Sequence, residues 1–335
     1  MTYFRTLTLR ELCEKLCEKK ATLIVYHVRP DADAIGSAFA LRELLEAMEI
    51  PTICACENEI PDRLQFLCDG VQGSVLADEE MDFGHERVIS VDSASPAQLG
   101  SLFERLHRKI DLMIDHHGQG TVYADHYIDA SASATGEILF EIAKELLAMG
   151  AISELPHRFC RFVDAAITSD TGGFRFANAT PKTLRIAAEL LDAGVDHTDL
   201  CQRLFESKSL KQVKAEGEGE AASRMRLYEK GRIASVTFPY TSKFNLGLSD
   251  EHLETVIDIP RSVEGVELAF AVRQPEDTGV FRVSMRSASD FDVSAVCAHF
   301  GGGGHRRAAG CTVEAASVYE AEEKILAAIR AMSNA

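Results

Sequence analysis

Three short apolar runs in this 335-residue chain each stop on a carboxylate or an imidazole. Thr22-Leu23-Ile24-Val25-Tyr26 leads into His27-Val28-Arg29-Pro30-Asp31-Ala32-Asp33. Arg87-Val88-Ile89-Ser90-Val91 ends at Asp92, and Ile110-Asp111-Leu112-Met113-Ile114 ends at Asp115-His116-His117. Each run reads as a strand. Segments with helical apolar spacing separate them, residues 33–48 being the clearest. Such alternation predicts an α/β fold, a mostly parallel sheet with helices on both faces. The carboxyl ends of its strands share one edge, where open α/β sheets bind ligands. This order of residues therefore gathers oxygen and nitrogen donors in one place.

Beyond residue 133 the spacing turns helical, over residues 134–149, 156–169, 181–193 and 198–205. Residues 208–228 read as one long charged helix, in which Gly217 and Gly219 each cost about 1 kcal/mol. Strand-like segments at 232–238, 266–273 and 280–286 then alternate with helices at 251–257, 293–299 and 318–332. The expected organisation is a parallel-sheet domain over 1–205, a helical linker over 206–229, and a smaller α+β domain over 230–335.

Composition narrows the functional classes. A formal net charge of −17 argues against a protein that tracks long duplex DNA, which needs a basic face to neutralise phosphates. A small phosphate-bearing substrate met by local cations remains compatible with it. No apolar run approaches the ~20 residues that cross a bilayer, and the first residues lack the apolar centre of a signal peptide. A cytoplasmic location is expected. The nine cysteines show no paired zinc-ligand spacing and read as reduced, packed thiols.

The candidate donors contain no thiolate, which suits hard or borderline divalent ions. His27 and Asp31 flank a strand-to-helix turn in which Pro30 fixes the backbone, and Asp33 opens the helix. Gly36 and Ser37 follow in its first turn, where free N–H groups could meet a phosphate. Asp92 is placed to bridge two ions. His116 can bind one while Asp115 orients an imidazole. Asp170, before Thr171-Gly172-Gly173, ends an apolar helix. Taken singly, Asp31 or Asp33 reads as a helix N-cap, and Asp170 as a helix terminus. Five separate chain positions in this order read better as one site.

With these residues in view, the chain resembles the DHH phosphoesterase superfamily, named for the Asp-His-His seen at 115–117. All four motifs of that family's N-terminal domain are present: His27–Ser37, Asp92, Asp115–His117 and Asp170. The usual Asp-Gly-Asp is here Asp31-Ala32-Asp33, which leaves both carboxylates in place. The glycine-rich stretch Phe300-Gly301-Gly302-Gly303-Gly304-His305-Arg306-Arg307-Ala308-Ala309-Gly310 is similar to the signature of the DHH-associated C-terminal domain. Val283-Ser284-Met285-Arg286-Ser287-Ala288 is similar to its upstream strand. Successive glycine N–H groups can approach an anion closely, and Arg286, His305 and Arg306 can add charge-assisted bonds.

The resemblance implies two metal ions, one held by His27, Asp31 and Asp92, the other by Asp33, Asp92, His116 and Asp170. Mn²⁺ is expected over Mg²⁺ because of the imidazole ligands, with Mg²⁺ or Co²⁺ as substitutes. His117 would stand beside the scissile phosphate, with Asp92 and Asp115 as its catalytic neighbours. Arg286, Ser287, Gly302, Gly303, Gly304, His305 and Arg306 would bind the substrate. Within the family the chain is most similar to the nanoRNase and pAp-phosphatase type, since the extra modules of RecJ-type exonucleases and the membrane segments of cyclic-dinucleotide phosphodiesterases are missing. The implied substrates are single-stranded di- to penta-nucleotides, pApA-like linear dinucleotides and 3′-phosphoadenosine 5′-phosphate (pAp). An exopolyphosphatase-like enzyme, a cyclic-dinucleotide phosphodiesterase and a non-catalytic nucleotide-binding regulator are the alternatives. A homodimer is a further implication.

Overall fold

A computed structural model describes residues 4–68, 74–75, 84–107, 109–216 and 224–333. Two units divide the chain, Met1–Ser207 and Lys208–Ala335. In the first, six strands form one sheet: β1 (Thr22–Val25), β2 (Thr52–Cys56), β3 (Ser74–Val75), β4 (Arg87–Val91), β5 (Leu112–Asp115) and β6 (Asp125–Ile128), in the order β3-β2-β1-β4-β5-β6. Every pairing is parallel. The chain builds outward from β1 through β2 to β3, then crosses back to place β4 on the other side of β1. Strand order therefore reverses between β1 and β4, where the crossovers leave a crevice at the carboxyl edge.

Alternate side chains bury on opposite faces, as the two-residue period of a strand requires. Ile24, Tyr26, Ile89, Val91 and Ile114 pack with Leu12, Phe39, Leu139 and Phe159. These come from helices α1 (Leu9–Leu16), α2 (Ala32–Ala47), α4 (Thr135–Ala148) and α5 (His157–Asp170). On the other face, Leu23, Val25, Val88 and Met113 meet Leu99 and Leu102. Between β4 and β5 lie a 3₁₀ turn, Pro96–Leu99, and the short helix α3 (Leu102–Arg105). Gly100 stands between them at φ 60° and ends the first turn. Helix α6 (Pro181–Asp192) starts at a Thr180 capping box, and α7 (His197–Cys201) runs into one π turn, Gln202–Glu206.

In the second unit the sheet order is β11-β12-β10-β9-β8-β7, made from β7 (Met225–Tyr228), β8 (Ile233–Phe238), β9 (Leu268–Arg273), β10 (Val280–Ser287), β11 (Gly303–His305) and β12 (Ala308–Glu314). Only β8 and β9 run parallel. Helices Val293–His299 and Val318–Ser333 cover one face through Phe270, Val283, Met285 and Ile325. Ala215, Phe238, Leu253 and Val256 form a separate core on the other.

The long helix expected over 208–228 does not form. Helix α8 spans Leu210–Glu216, and Met225–Tyr228 is an antiparallel edge strand on β8. Residues 217–223, with Gly217 and Gly219, lie outside the described residues. Strand pairing wins at Arg226 because its guanidinium reaches the fully buried Glu322 at 2.9 Å, and Glu322 also accepts from Ser235 Oγ. A buried carboxylate left without such partners would be costly.

Candidate metal centre

Parallel pairing sets the site's level. Val25 stands beside Ser90 and Val91 beside Ile114, so the residues leaving β1, β4 and β5 emerge side by side. His27 and Asp92 flank the reversal of strand order. Asp92 takes a left-handed backbone, φ 51°, a conformation that costs a non-glycine residue about 1–2 kcal/mol. Its N–H still donates to the Ile114 carbonyl, and its carboxylate is buried. Strained backbone of this kind clusters at functional sites.

Three groups of donors result, each with its atoms within 4.8 Å of one another: His27, Asp31 and Asp92; Asp33, His116 and Asp170; Asp92, Asp115 and His117. His27 Nε2 lies 3.7 Å from Asp31 Oδ1 and 3.6 Å from Asp92 Oδ2. His116 Nε2 lies 3.7 Å from Asp33 Oδ2, 3.8 Å from Asp92 Oδ1 and 3.4 Å from Asp170 Oδ2. The two oxygens of Asp92 thus face different imidazoles. Donors at about 2.1 Å from a shared cation stand about 3–3.5 Å apart, close to these separations and longer than good hydrogen bonds.

Orientation of the rings fits the same chemistry. His27 Nδ1 donates to the Val28 carbonyl at 2.9 Å and His116 Nδ1 to the Ala132 carbonyl at 3.3 Å. With Nδ1 so engaged, Nε2 is the ring atom that faces the carboxylates, the atom a metal-binding histidine offers to a cation in place of a proton. The donor set therefore suits divalent cations.

Asp31, Asp33 and Asp92 are each held by the start of a helix. Asp31 Oδ1 accepts from the N–H groups of Asp33 and Ala34 at 3.0 Å, so Asp31 is at once the N-cap of α2 and a neighbour of His27. Asp33 accepts from Thr135 N–H at 2.8 Å, Gly136 N–H at 3.1 Å and Ser37 Oγ at 2.9 Å. The positive end of α4 thereby faces the Asp33 carboxylate. Thr135 Oγ1 also donates to Asp92 Oδ1 at 2.9 Å. Asp170 is the last residue of α5, and Asn178 Nδ2 ties its carbonyl to that of Ser133.

Packing brings the helix starts this close. A Cβ on Gly36 would stand 2.6 Å from the Phe162 carbonyl oxygen, and one on Gly136 would stand 2.5 Å from Ala166 Cβ. Gly36 and Ser37 were expected to offer N–H groups to phosphate. Both are instead buried, Gly36 against α5 and Ser37 bonded to Asp33.

Crowded negative charge governs the electrostatics. Burial, then the neighbouring carboxylates, push Asp33 and Asp170 well above the usual carboxylate range. Burial would also raise Asp92, but contact with His27 and the proximity of His117 outweigh it and hold it low. Burial opposes the charging of His117, yet its bond to Asp115 and the nearby Asp92 raise it to about 9. Asp115 Oδ1 accepts from His117 Nδ1 at 2.7 Å and from its backbone N–H at 3.1 Å. The other Asp115 oxygen is buried with no hydrogen-bond partner among the described residues.

In the second unit, Arg286 on β10 pairs with Ala308 on β12, which pairs with His305 on β11, so Arg286 and His305 flank one strand at one level. The glycine run does not form an open anion loop. Gly303 and Gly304 belong to β11, and a Cβ on Gly302 or Gly304 would stand 2.2 Å or 2.6 Å from the carbonyl oxygens of Gly310 and Ala308. Close strand packing accounts for these two; Gly301 and Gly303 have open space where a Cβ would point. Arg306 Nη2 donates to the Asp290 carbonyl at 2.7 Å, and Ser287 Oγ to that of Ser289 at 3.1 Å.

Thr135 and Gly136 were not among the expected site residues. Their only signal was Ser133-Ala134-Thr135-Gly136-Glu137 at the start of a helical run, which reads as a helix start.

Family models match most of the chain: the DHH family N-terminal domain over residues 21–167 and the DHHA1 domain over 235–334. The chain is 31% identical over 310 residues to the bifunctional oligoribonuclease and PAP phosphatase NrnA of Thermus thermophilus, covering 92% of this chain and 88% of that one. Against the protein of the same name from Bacillus subtilis it is 30% identical over 296 residues, 87% of this chain and 89% of the relative. Among solved structures, an exopolyphosphatase-related protein from Bacteroides fragilis superposes with a TM-score of 0.85 over 99% of this chain and 98% of that chain. At 23% identity that likeness establishes the fold.

Proposed function

Because the chain belongs to the DHH family and carries the DHHA1 domain as well, we propose that it hydrolyses phosphate esters in very short oligonucleotides, pApA-like dinucleotides and pAp, releasing mononucleotides. The observation that carries this reading is Asp92, whose two carboxylate oxygens face the separate imidazoles of His27 and His116. Its relatives' names, oligoribonuclease and PAP phosphatase, point to the same substrates.

His27, Asp31 and Asp92 would hold one divalent cation, and Asp33, Asp92, His116 and Asp170 a second. Mn²⁺ is the preferred ion because the site mixes imidazole with carboxylate. Such cations, when bound, acidify a water nucleophile and neutralise charge on the phosphoryl group. Thr135 and Ser37 fix the carboxylates, and the Nδ1 bonds fix the two rings. His117 keeps a proton near neutral pH through Asp115 and can donate it to a phosphoryl or leaving oxygen. Arg286, Ser287, Gly302, Gly303, Gly304, His305 and Arg306 form the nucleotide-binding set of the second unit. The net charge of −17 disfavours long duplex DNA as a substrate. Among the described residues no helix is long and apolar enough to cross a membrane, and the cysteines are all free thiols; a cytoplasmic location accords with both.

The test is turnover by the purified full chain with Mn²⁺ on pApA, short RNA, pAp and polyphosphate, with products resolved by chromatography. Mononucleotide release is expected. No turnover of any nucleotide, or release of phosphate from polyphosphate alone, would overturn the assignment.

A further inference from the structure

Three side chains outside the metal centre form a relay. His197 opens α7 and Cys201 closes it, four residues apart and so on one helix face. Cys201 Sγ lies 3.2 Å from His197 Nε2. On the ring's far side, Nδ1 donates to Asp164 at 2.9 Å and 3.1 Å. Asp164 is buried in the middle of α5, where Thr168 Oγ1 also lies near it, and the ring leans on Phe174 with centroids 5.6 Å apart. In the neutral ring Asp164 fixes the tautomer, so the nitrogen facing the sulfur is an acceptor to which the thiol can donate.

We propose that Cys201 is a base-assisted nucleophile, a modification site for small soft electrophiles, with His197 as the base and Asp164 as the positioning residue. A thiol within reach of a base that a third group orients is the arrangement of activated nucleophiles. In the reaction the S–H proton passes to His197 Nε2 as sulfur attacks. With an alkyl iodide, the S–C bond forms, the C–I bond breaks, iodide leaves and the imidazolium keeps the proton beside Asp164. Burial and the Asp164 carboxylate hold the unassisted Cys201 thiol above its ordinary value, so the sulfur rests protonated and depends on the base. The bond to Asp164 raises His197 in turn, which strengthens it as proton acceptor. Cys201 is half-buried and within reach of a small reagent, whereas Cys13, Cys54, Cys56, Cys160, Cys297 and Cys311 are buried.

Iodoacetamide labelling of the full chain, followed by peptide mass spectrometry, tests this. Rates are compared between the folded chain and the same chain in urea at one pH. A half-buried thiol gains exposure on unfolding, so exposure alone makes Cys201 react faster in urea. Base assistance predicts the reverse, about tenfold faster in the folded chain. His197→Asn, which keeps a donor for Asp164 and removes Nε2, should erase that excess and leave Cys17 unchanged. Should the variant fail to fold and expose Cys13 and Cys54, the wild-type comparison still decides. Cys201 labelling no faster folded than unfolded would overturn the proposal, as would an excess that survives in a folded His197→Asn chain.

Discussion

Thr135 Oγ1 donates to Asp92 Oδ1 at 2.9 Å while the Thr135 N–H donates to Asp33 Oδ2 at 2.8 Å. One residue at the start of a helix therefore fixes a carboxylate from each of two donor groups. Thr135→Val removes the hydroxyl and keeps both the N–H and the shape. Loss of such supporting bonds costs metal sites about 10–100-fold in affinity or activity. Calorimetric titration with Mn²⁺ should show a drop of that order, and Thr135→Ser should restore it. Unchanged affinity in the valine variant would leave Thr135 a packing residue.

Asp92 faces both imidazoles, so Asp92→Ala should remove donors from both groups at once. Turnover should fall by about three orders of magnitude, with loss of bound metal by elemental analysis. Activity near that of the native chain would disprove the bridging role.

Arg286 and His305 belong to the second unit and should act on substrate affinity. Arg286→Ala or His305→Ala should raise KM by about tenfold with a smaller change in kcat, metal content staying intact. A variant that lost its metal instead would show that these residues support the centre itself.

The pair His197–Asp164 predicts a pH dependence of stability. Its folded-state proton affinity lies above that of an ordinary imidazole because of the bond to Asp164. The stabilisation is then complete below the unfolded imidazole value, about 6.5, and is lost as pH rises through the folded value. Urea midpoints should fall as pH rises from about 6.5 through the higher folded-state value of the imidazole, and His197→Asn should reduce that fall. Identical pH slopes for the two chains would rule the linkage out.

Gly136→Ala would set a methyl group 2.5 Å from Ala166 Cβ. Overpacking of this kind costs about 1–3 kcal/mol, so the denaturation midpoint should drop, and cation affinity with it, because Asp33 leans on the Gly136 N–H. A drop in stability with native affinity would mean that α4 can shift without carrying its N–H groups away.

The α/β fold was legible because its signals were local. Arg87–Val91 runs as predicted, and Thr22–Val25 lies within its predicted run. Parallel pairing then forces His27, Asp92 and Asp115 to one edge, so their convergence follows from strand order. Strand β6 gave no such signal: Asp125-His126-Tyr127-Ile128 is half-buried and is held by pairing with β5 and with the segment around Thr6. Thr135 was hidden because its partners are Asp33 and Asp92, far away in the sequence. The edge strand Met225–Tyr228 was misread as helix because the partner of Arg226, Glu322, lies at the far end of the unit. In the glycine run, residues 302 and 304 answer to a neighbouring strand, and sequence spacing cannot tell that need from anion binding.

Gly36, Ala166 and Gly136 let α2, α4 and α5 meet with hydrogen or methyl at every point of closest approach. At the two glycines no smaller residue exists, and a larger one would prise the helices apart. The spacing between the Asp33 carboxylate on α2 and the N–H groups that open α4 is consequently set by this packing. Any change of side chain at Gly36 or Gly136 would therefore reach the donors around Asp33 through the helical frame before it touched a donor residue itself.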